Sequence, residues 1–141
     1  MTGFLLDTNV LSEFARAQAA DQHVDRWLKV TPEETLFASV LTFAEIRRGI
    51  ELLPVGKRRT QLEEWQDDLQ ISFAARLLPV TKSIGDRWAV LSAQAQRRGT
   101  PLAIMDGLIA ATALEHDLTV VTRNVKDFAG LGVPTLNPWE V

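Results

Sequence analysis

The sequence predicts an α/β fold: a three-layer α/β/α arrangement around a central parallel sheet of four to five short strands. Short apolar runs alternate along the chain with longer segments whose apolar residues recur at helical spacing. The first apolar run, residues 4–6, is followed at once by Asp7, Thr8 and Asn9, which are residue types that favour turns and helix starts. No repeat, low-complexity tract or linker is visible, so residues 1–141 are expected to form a single domain.

The strands are predicted where short apolar runs end in turn-forming residues. They cover residues 4–6, 36–40, 77–80, 118–122 and 133–138. Pro79 in the third run favours an edge position or a strand end, because proline cannot donate to the hydrogen-bond ladder of a sheet.

Helices are predicted between the strands, where apolar residues recur three or four positions apart. They cover residues 10–18, 21–29, 57–71, 83–98 and 105–116, with a further helix between the second strand and Pro54. Ser83 is predicted to cap one helix, and Asn124 to cap a short helical turn that ends at Phe128. The helix of residues 105–116 is rich in alanine, which predicts tight packing against the sheet.

Composition narrows the classes of protein that the chain can represent. The formal net charge of −3 offers no general attraction for nucleic acid, so any such contact requires a local basic patch. The absence of cysteine excludes disulfides and thiolate metal sites, and the two histidines, His23 and His116, are too far apart in sequence to favour a structural zinc site. No secretory signal and no run of about 20 apolar residues is visible, which predicts a soluble, cytoplasmic protein that does not enter membranes.

Four acidic residues follow or open predicted elements, and each has an ordinary structural explanation. Asp7 stands where a helix N-cap would stand, and Glu45 is three residues after Thr42, which is the spacing of a capping box. Asp106 lies in a first helical turn, where its charge complements the helix dipole. Asp127 lies three residues after Asn124, where an acid can take part in a helix cap.

Together, the acidic residues indicate chemistry. Asp7, Glu45 and Asp127 each follow a predicted parallel strand, and the carboxyl ends of parallel strands meet at one edge of a sheet. Asp106 follows a loop whose path the pattern leaves open. Gly49, on the same side of its helix as Glu45, leaves room for a ligand or a second helix, or permits close packing.

Carboxylates gathered at a concave edge repel one another unless a cation neutralises them. Ligands that are all oxygen select a hard ion such as Mg²⁺ or Mn²⁺. Such an ion lowers the pKa of a bound water and stabilises charge on a phosphoryl oxygen. The implied reaction is the metal-assisted attack of water on a phosphodiester.

These residues resemble the PIN-domain family and, within it, the VapC-type toxins, including the FitB-like branch. The resemblance covers essentially the whole chain and implies a PIN-like fold. It rests on Leu5-Leu6-Asp7-Thr8-Asn9, on Thr42-Phe43-Ala44-Glu45-Ile46-Arg47-Arg48-Gly49, on the helix that Asp106 opens, and on Thr122-Arg123-Asn124-Val125-Lys126-Asp127-Phe128.

The resemblance implies a metal site and assigns residues to it. Its acidic quartet would be Asp7, Glu45, Asp106 and Asp127. Asp7 and Asp106 would be direct ligands, with Glu45 and Asp127 closing the site or acting through water. The supporting residues would be Thr8, Asn9, Thr122 and Asn124, and Asn124 competes with Asp127 for the fourth place.

The activity implied by the resemblance is that of an endoribonuclease that uses Mg²⁺ or Mn²⁺. Such a protein is commonly a homodimer and is silenced by a cognate antitoxin, a segment of which covers the acidic pocket. RNA would be held by local basic residues, for each of which a solvated surface position is an equally good explanation. The candidates are Arg47, Arg48, Arg87, Arg123 and Lys126.

Two other readings of the same residues stay open. An aspartyl-phosphate phosphatase also carries an aspartate after its first strand, although its motif is Asp-x-Asp and Asn9 holds the second place here. A catalytically silent PIN-like binding module is the non-enzymatic alternative. It would have no need for four like charges at one place.

Overall fold

Five short parallel strands form the central sheet in a computed structural model, which describes residues 3–16 and 20–141. The strands are β1 (Gly3–Leu6), β2 (Leu36–Ser39), β3 (Leu77–Leu78), β4 (Leu118–Val121) and β5 (Thr135–Leu136). Their order across the sheet is β3-β2-β1-β4-β5, with every neighbouring pair parallel. The predicted three-layer fold is therefore confirmed. The strand β3, which ends just before Pro79, lies at an edge of the sheet, as the proline predicts.

Helices cover both faces of this sheet. They are α1 (Thr8–Arg16), α2 (Gln22–Val30), α3 (Val40–Glu51), α4 (Lys57–Phe73), α5 (Lys82–Arg97) and α6 (Ile104–His116). Short 3₁₀ helices occupy Glu33–Thr35, Ala74–Arg76, Val125–Phe128 and Pro138–Glu140. The predicted first helix extends to residue 18, and its last two residues lie outside the described residues. Within the described ranges, no helix is both long enough and apolar enough to cross a membrane.

Neighbouring residues of the two central strands belong to opposite cores. Leu6 of β1 and its partner Val121 of β4 are fully buried against α1, α2, α3 and α4. Leu5 and its partner Val120 are buried on the other face, where α6 covers the sheet. Because successive strand residues point to opposite faces and both faces are covered, these strands are mostly apolar and show no strict alternation of apolar and polar residues.

The predicted tight packing of α6 is confirmed. Its alanines Ala110, Ala111 and Ala113 are fully buried, so the helix backbone approaches the sheet closely. Asp117 ends α6 in the left-handed conformation, with φ of 55°, and the chain turns directly into β4. The carboxyl end of β4 then points to the same edge as that of β1.

One predicted helix cap is wrong, and a second is confirmed in its position only. The residue that caps α5 is Thr81, not Ser83: Thr81 is extended and its hydroxyl accepts the N–H of Ile84 at 3.3 Å, so the helix begins earlier than predicted. The Ser83 side chain is instead hydrogen-bonded to Glu115 of α6. Asn124 precedes the 3₁₀ helix Val125–Phe128, but its side chain makes no capping hydrogen bond.

A glycine allows α5 and α6 to pack closely near the start of α6. A methyl group on Gly107 would lie 2.8 Å from Cδ1 of Trp88 on α5 and 2.9 Å from Cδ2 of Leu102. The indole nitrogen of Trp88 is itself buried, with no hydrogen-bond partner in the described part of the chain. Gly107 is thus required by contact with a rigid ring, one residue after Asp106.

Gly107→Ala is expected to lower the free energy of unfolding by about 1–3 kcal/mol, because either the indole ring or the first turn of α6 must move. Urea unfolding followed by tryptophan fluorescence would measure this change. Gly85→Ala is the matched control, since a methyl group there meets nothing within 4 Å and the helix of α5 should gain stability. Equal effects of the two substitutions would contradict the packing argument.

Candidate active site

Asp7 is held by its backbone at the junction of β1 and α1. Its N–H donates to the carbonyl oxygen of Val121 at 2.9 Å, which extends the pairing of β1 with β4 beyond the last strand residue. Its carbonyl oxygen accepts the N–H groups of Val10 and Leu11 at 3.0 and 3.1 Å, which begins the helix. The position of Asp7 at the carboxyl edge of the sheet is therefore determined from both sides.

The carboxylate of Asp7 is oriented by two further hydrogen bonds. Oδ1 accepts the N–H of Thr8 at 2.9 Å, and Oδ2 accepts the hydroxyl of Thr122 at 2.8 Å. Thr122 directly follows β4 and is fully buried. Each carboxylate oxygen retains a lone pair, because a carboxylate has about four acceptor positions.

Glu45 is bound to the same junction. The hydroxyl of Thr8 donates to Oε1 of Glu45 at 2.8 Å, so one residue orients both Asp7 and Glu45. The capping-box explanation fails for Glu45, because α3 begins earlier and its cap is Ser39, whose side chain accepts a backbone N–H. The Glu45 side chain is half-buried at the sheet edge.

The hydroxyl of Thr122 connects the supporting residues that follow β1 and β4. Besides donating to Asp7, it accepts the backbone N–H of Asn124 at 3.1 Å and the side-chain amide of Asn9 at 3.4 Å. The side-chain Oδ1 of Asn9 in turn accepts the backbone N–H of Arg123 at 3.2 Å. A hydroxyl has one donor and two acceptor positions, and this one uses all of them.

Asp106 is electrostatically coupled to the other three acids. Burial raises its pKa most, and the negative charges of Asp127, Asp7 and Glu45 raise it further, in that order. The connection of residues 98–103 thus brings the start of α6 to the edge where β1 and β4 end. In the residues that the structure describes, no three acidic or histidine side chains converge closely enough to ligate one ion as they stand.

Two cavities open beside these acids. The larger, of about 600 Å³, has Asp106 and Asp127 in its wall. The smaller, of about 390 Å³, is lined by Thr8, Glu45 and Gly49 among others. A methyl group on Gly49 would meet nothing within 4 Å, so this glycine leaves open space and does not serve close packing.

The basic residues that are predicted to bind RNA make different contacts in the structure. The guanidinium of Arg47 lies 2.7 Å from Glu51 and 3.8 Å from Glu63. Arg87 donates to Glu115 at 2.6 Å. The interactions of Glu115 with Ser83 and then with Arg87 lower the pKa of this carboxyl group. Both arginines therefore form ion pairs with glutamates that are not among the four predicted acids.

The other predicted basic residues differ in their relation to the acids. Arg123 packs over the ring of Trp139, 5.2 Å from its centroid, and Arg48 is exposed on α3. Lys126 lines the 600 Å³ cavity, and so does Arg98, which sequence reasoning missed. The sequence offers one indication for Arg98: it stands at the end of α5, just before the connection that leads to Asp106.

The fold and the acidic edge define a PIN-domain protein. The family model of the PIN domain matches residues 4–132, and the chain belongs to this family. It is 39% identical over 137 residues to the VapC ribonuclease Y4jK of Sinorhizobium fredii, covering 96% of this chain and 97% of that protein. It is also 39% identical over 136 residues to the toxin FitB of Neisseria gonorrhoeae, with the same two shares.

Solved structures agree with this assignment. The crystal structure of FitAcB from Neisseria gonorrhoeae matches with a TM-score of 0.91 and 38% identity, over 98% of this chain and 99% of that one. The structure of FitAB bound to the IR36 DNA fragment matches with a TM-score of 0.90 and 37% identity, over 98% of this chain and 96% of that one. The predicted resemblance to the FitB-like branch of the PIN-domain family is confirmed.

The raised pKa of Asp106 predicts that Asp106→Asn stabilises the metal-free protein at neutral pH. The folded state holds this proton more tightly than the unfolded chain, so the free energy of unfolding falls as pH rises from 3.8 through the raised pKa. The penalty is absent below that interval and complete above it. The Tm of the variant in EDTA should therefore exceed that of the wild type at about pH 7, and the difference should shrink towards about pH 4.

The matched control for this measurement is Asp68→Asn, which removes an exposed acid from α4. Its Tm difference from the wild type should be small across the same pH range. A Tm difference for Asp106→Asn that stays constant with pH would contradict the assigned electrostatic cause.

Proposed function

We propose that this chain is a metal-dependent endoribonuclease and the toxin of a toxin–antitoxin pair. The observation that carries the proposal is the coupling of Asp106 to Asp7, Glu45 and Asp127 at the edge where Thr8 binds two of them. Relatives of the same length support it by their names, VapC ribonuclease and toxin FitB. The substrate would be RNA, and the reaction the hydrolysis of its phosphodiester bonds.

The donor set fits Mg²⁺, with Mn²⁺ as a substitute. All candidate ligands are carboxylate oxygens, which hard divalent ions prefer. Burial and then three neighbouring negative charges disfavour the ionised form of Asp106, and a cation would offset that penalty. Asp7 and Asp106 are proposed as direct ligands, with Glu45 and Asp127 closing the site. When bound, the ion would supply an activated water and neutralise charge on the phosphoryl oxygen.

The protein's own residues would orient these ligands. Thr8 and Thr122 each bond one oxygen of Asp7, which leaves the carboxylate a single orientation. Asn9 supports the Thr122 hydroxyl from the other side. Asp127 lines the same cavity as Asp106 and Asn124 does not, which favours Asp127 over Asn124 as the fourth residue of the site.

The proposed partners follow from the relatives. Solved neighbours with similar folds are toxin–antitoxin complexes, including FitAB and FitAcB. We therefore propose a cognate antitoxin that covers the acidic pocket, a homodimeric state and a cytoplasmic location. A basic side chain of the antitoxin could take the place of the cation among the four carboxylates.

The phosphatase alternative has less support. Its motif needs a second acid two residues after the first, and here Asn9 engages both ends of its amide with Thr122 and Arg123. Incubation with beryllofluoride decides this alternative, because only a phosphatase should form a stable adduct at Asp7.

Asp7→Asn and Asp106→Asn should each lower metal-dependent RNA cleavage by at least about 100-fold, because each removes a ligand charge and leaves the fold intact. Cleavage mapping on total RNA, with Mg²⁺ and with EDTA, would measure this loss. Asp68→Asn serves as the control and should cleave as the wild type does. Cleavage retained by both site variants would refute the site, and the absence of metal-induced stabilisation in the wild type would favour the silent binding module.

Thr122→Val should weaken Mg²⁺ binding by about 10- to 100-fold, because the hydroxyl that orients Asp7 is replaced by a methyl group of equal size. Thr122→Ser retains the hydroxyl and should restore most of the affinity. Isothermal titration with Mg²⁺ separates this effect from a loss of stability measured by urea unfolding. Equal Mg²⁺ affinities of the Val and Ser variants would show that the hydroxyl does not position Asp7.

A further inference from the structure

We infer that the 600 Å³ cavity beside Asp106 is the subsite for one nucleotide of single-stranded RNA, next to the phosphate that is cleaved. This inference rests on the proposed nuclease function and adds where the substrate lies. The cavity is open to solvent and is bordered by the end of α5, the connection to α6, the first turn of α6 and the segment 126–131. A ligand that fills it contacts the walls that contain Asp106 and Asp127.

The charge of the cavity wall suits a phosphate that must approach acids. Arg98 and Lys126 line the same cavity as Asp106 and Asp127. In the described part of the chain, neither Arg98 nor Lys126 has an acidic partner within ion-pair distance. Their charges are thus available to a polyanion in a protein whose net charge is −3.

The remaining wall suits a nucleotide base. Pro101, Leu102 and Leu131 provide apolar surface, and Arg98 provides a planar guanidinium on which a base can stack. Pockets of about 300–1,000 Å³ enclose ligands of this size. A concave site of one nucleotide selects a single strand, because a base within a duplex remains stacked and paired.

Arg98 therefore has a role in binding the nucleotide that Arg47 and Arg87, which the sequence predicts to bind RNA, do not have. Arg47 and Arg87 are each bound to glutamates on helix surfaces, and neither lines the cavity. Arg97, the residue next to Arg98, is exposed and does not line the cavity either. This pair of adjacent arginines provides a matched comparison with identical change of net charge.

The experiment compares Arg98→Gln with Arg97→Gln in an Asp7→Asn background, which should not cleave and leaves every residue of the cavity wall unchanged. Binding of a fluorescein-labelled 12-nucleotide single-stranded RNA of mixed sequence is followed by anisotropy in Mg²⁺ at several salt concentrations. Arg98→Gln should weaken binding about tenfold and reduce the slope of log K against log salt by about 0.7. Arg97→Gln should stay within about twofold of its background.

A second pair of variants tests the space itself. Ala129→Leu places a larger side chain in the cavity wall, whereas Ala93→Leu makes the same change on an exposed face of α5 that lies outside the cavity. In the Asp7→Asn background, Ala129→Leu should weaken binding of the single-stranded RNA about tenfold. In the protein that retains Asp7, the same substitution should leave the Mg²⁺ affinity unchanged. Ala93→Leu should have no effect on either.

Two results would overturn the inference. These are equal RNA binding by the two arginine variants, and RNA binding by Ala129→Leu that equals that of its background. Failure of the proposed function is distinguishable, because it would appear as wild-type protein that does not cleave RNA with Mg²⁺. The binding comparison decides the subsite in either case.

Discussion

The hydrogen bond from the Thr122 hydroxyl to Asp7 joins the ends of the two central strands, and the arrangement of the acidic edge depends on it. Since β1 and β4 are parallel and in register, the residues that follow them emerge side by side. Thr8 extends the connection to Glu45 on α3. The site is thus assembled by short bonds between elements that the sheet has already brought together.

The acidic edge is a cost to the folded state. Burial and three neighbouring charges raise the pKa of Asp106, so the protein holds a carboxylate where its ionised form is disfavoured. A protein that only needed a stable scaffold would gain nothing from this arrangement, and functional sites are where such strain is commonly tolerated. A cation or a basic side chain of a partner would offset this cost, and in the proposed function the same charges would then serve both catalysis and inhibition.

Much of the fold was predictable because its determinants are local. Strands buried on both faces are mostly apolar runs, and the alanine-rich sequence of α6 matches a helix that is buried against the sheet. The caps were less predictable, because Thr81 and Ser83 are equally good capping residues in sequence. Backbone geometry decides between them, because Thr81 is extended and accepts the N–H of Ile84 whereas Ser83 lies within α5.

By itself, the sequence determined the order of the elements, the fold class and the four carboxylates that are candidates for the metal site. Only the tertiary structure decided that the connection after α5 returns Asp106 to the others, because a loop path depends on packing across the molecule. It also decided which cations face the acids: Arg47 and Arg87 are engaged by glutamates elsewhere, whereas Arg98 lines the cavity. Residue type and spacing do not contain this information, since ion pairs form between side chains that are adjacent in space and distant in the chain.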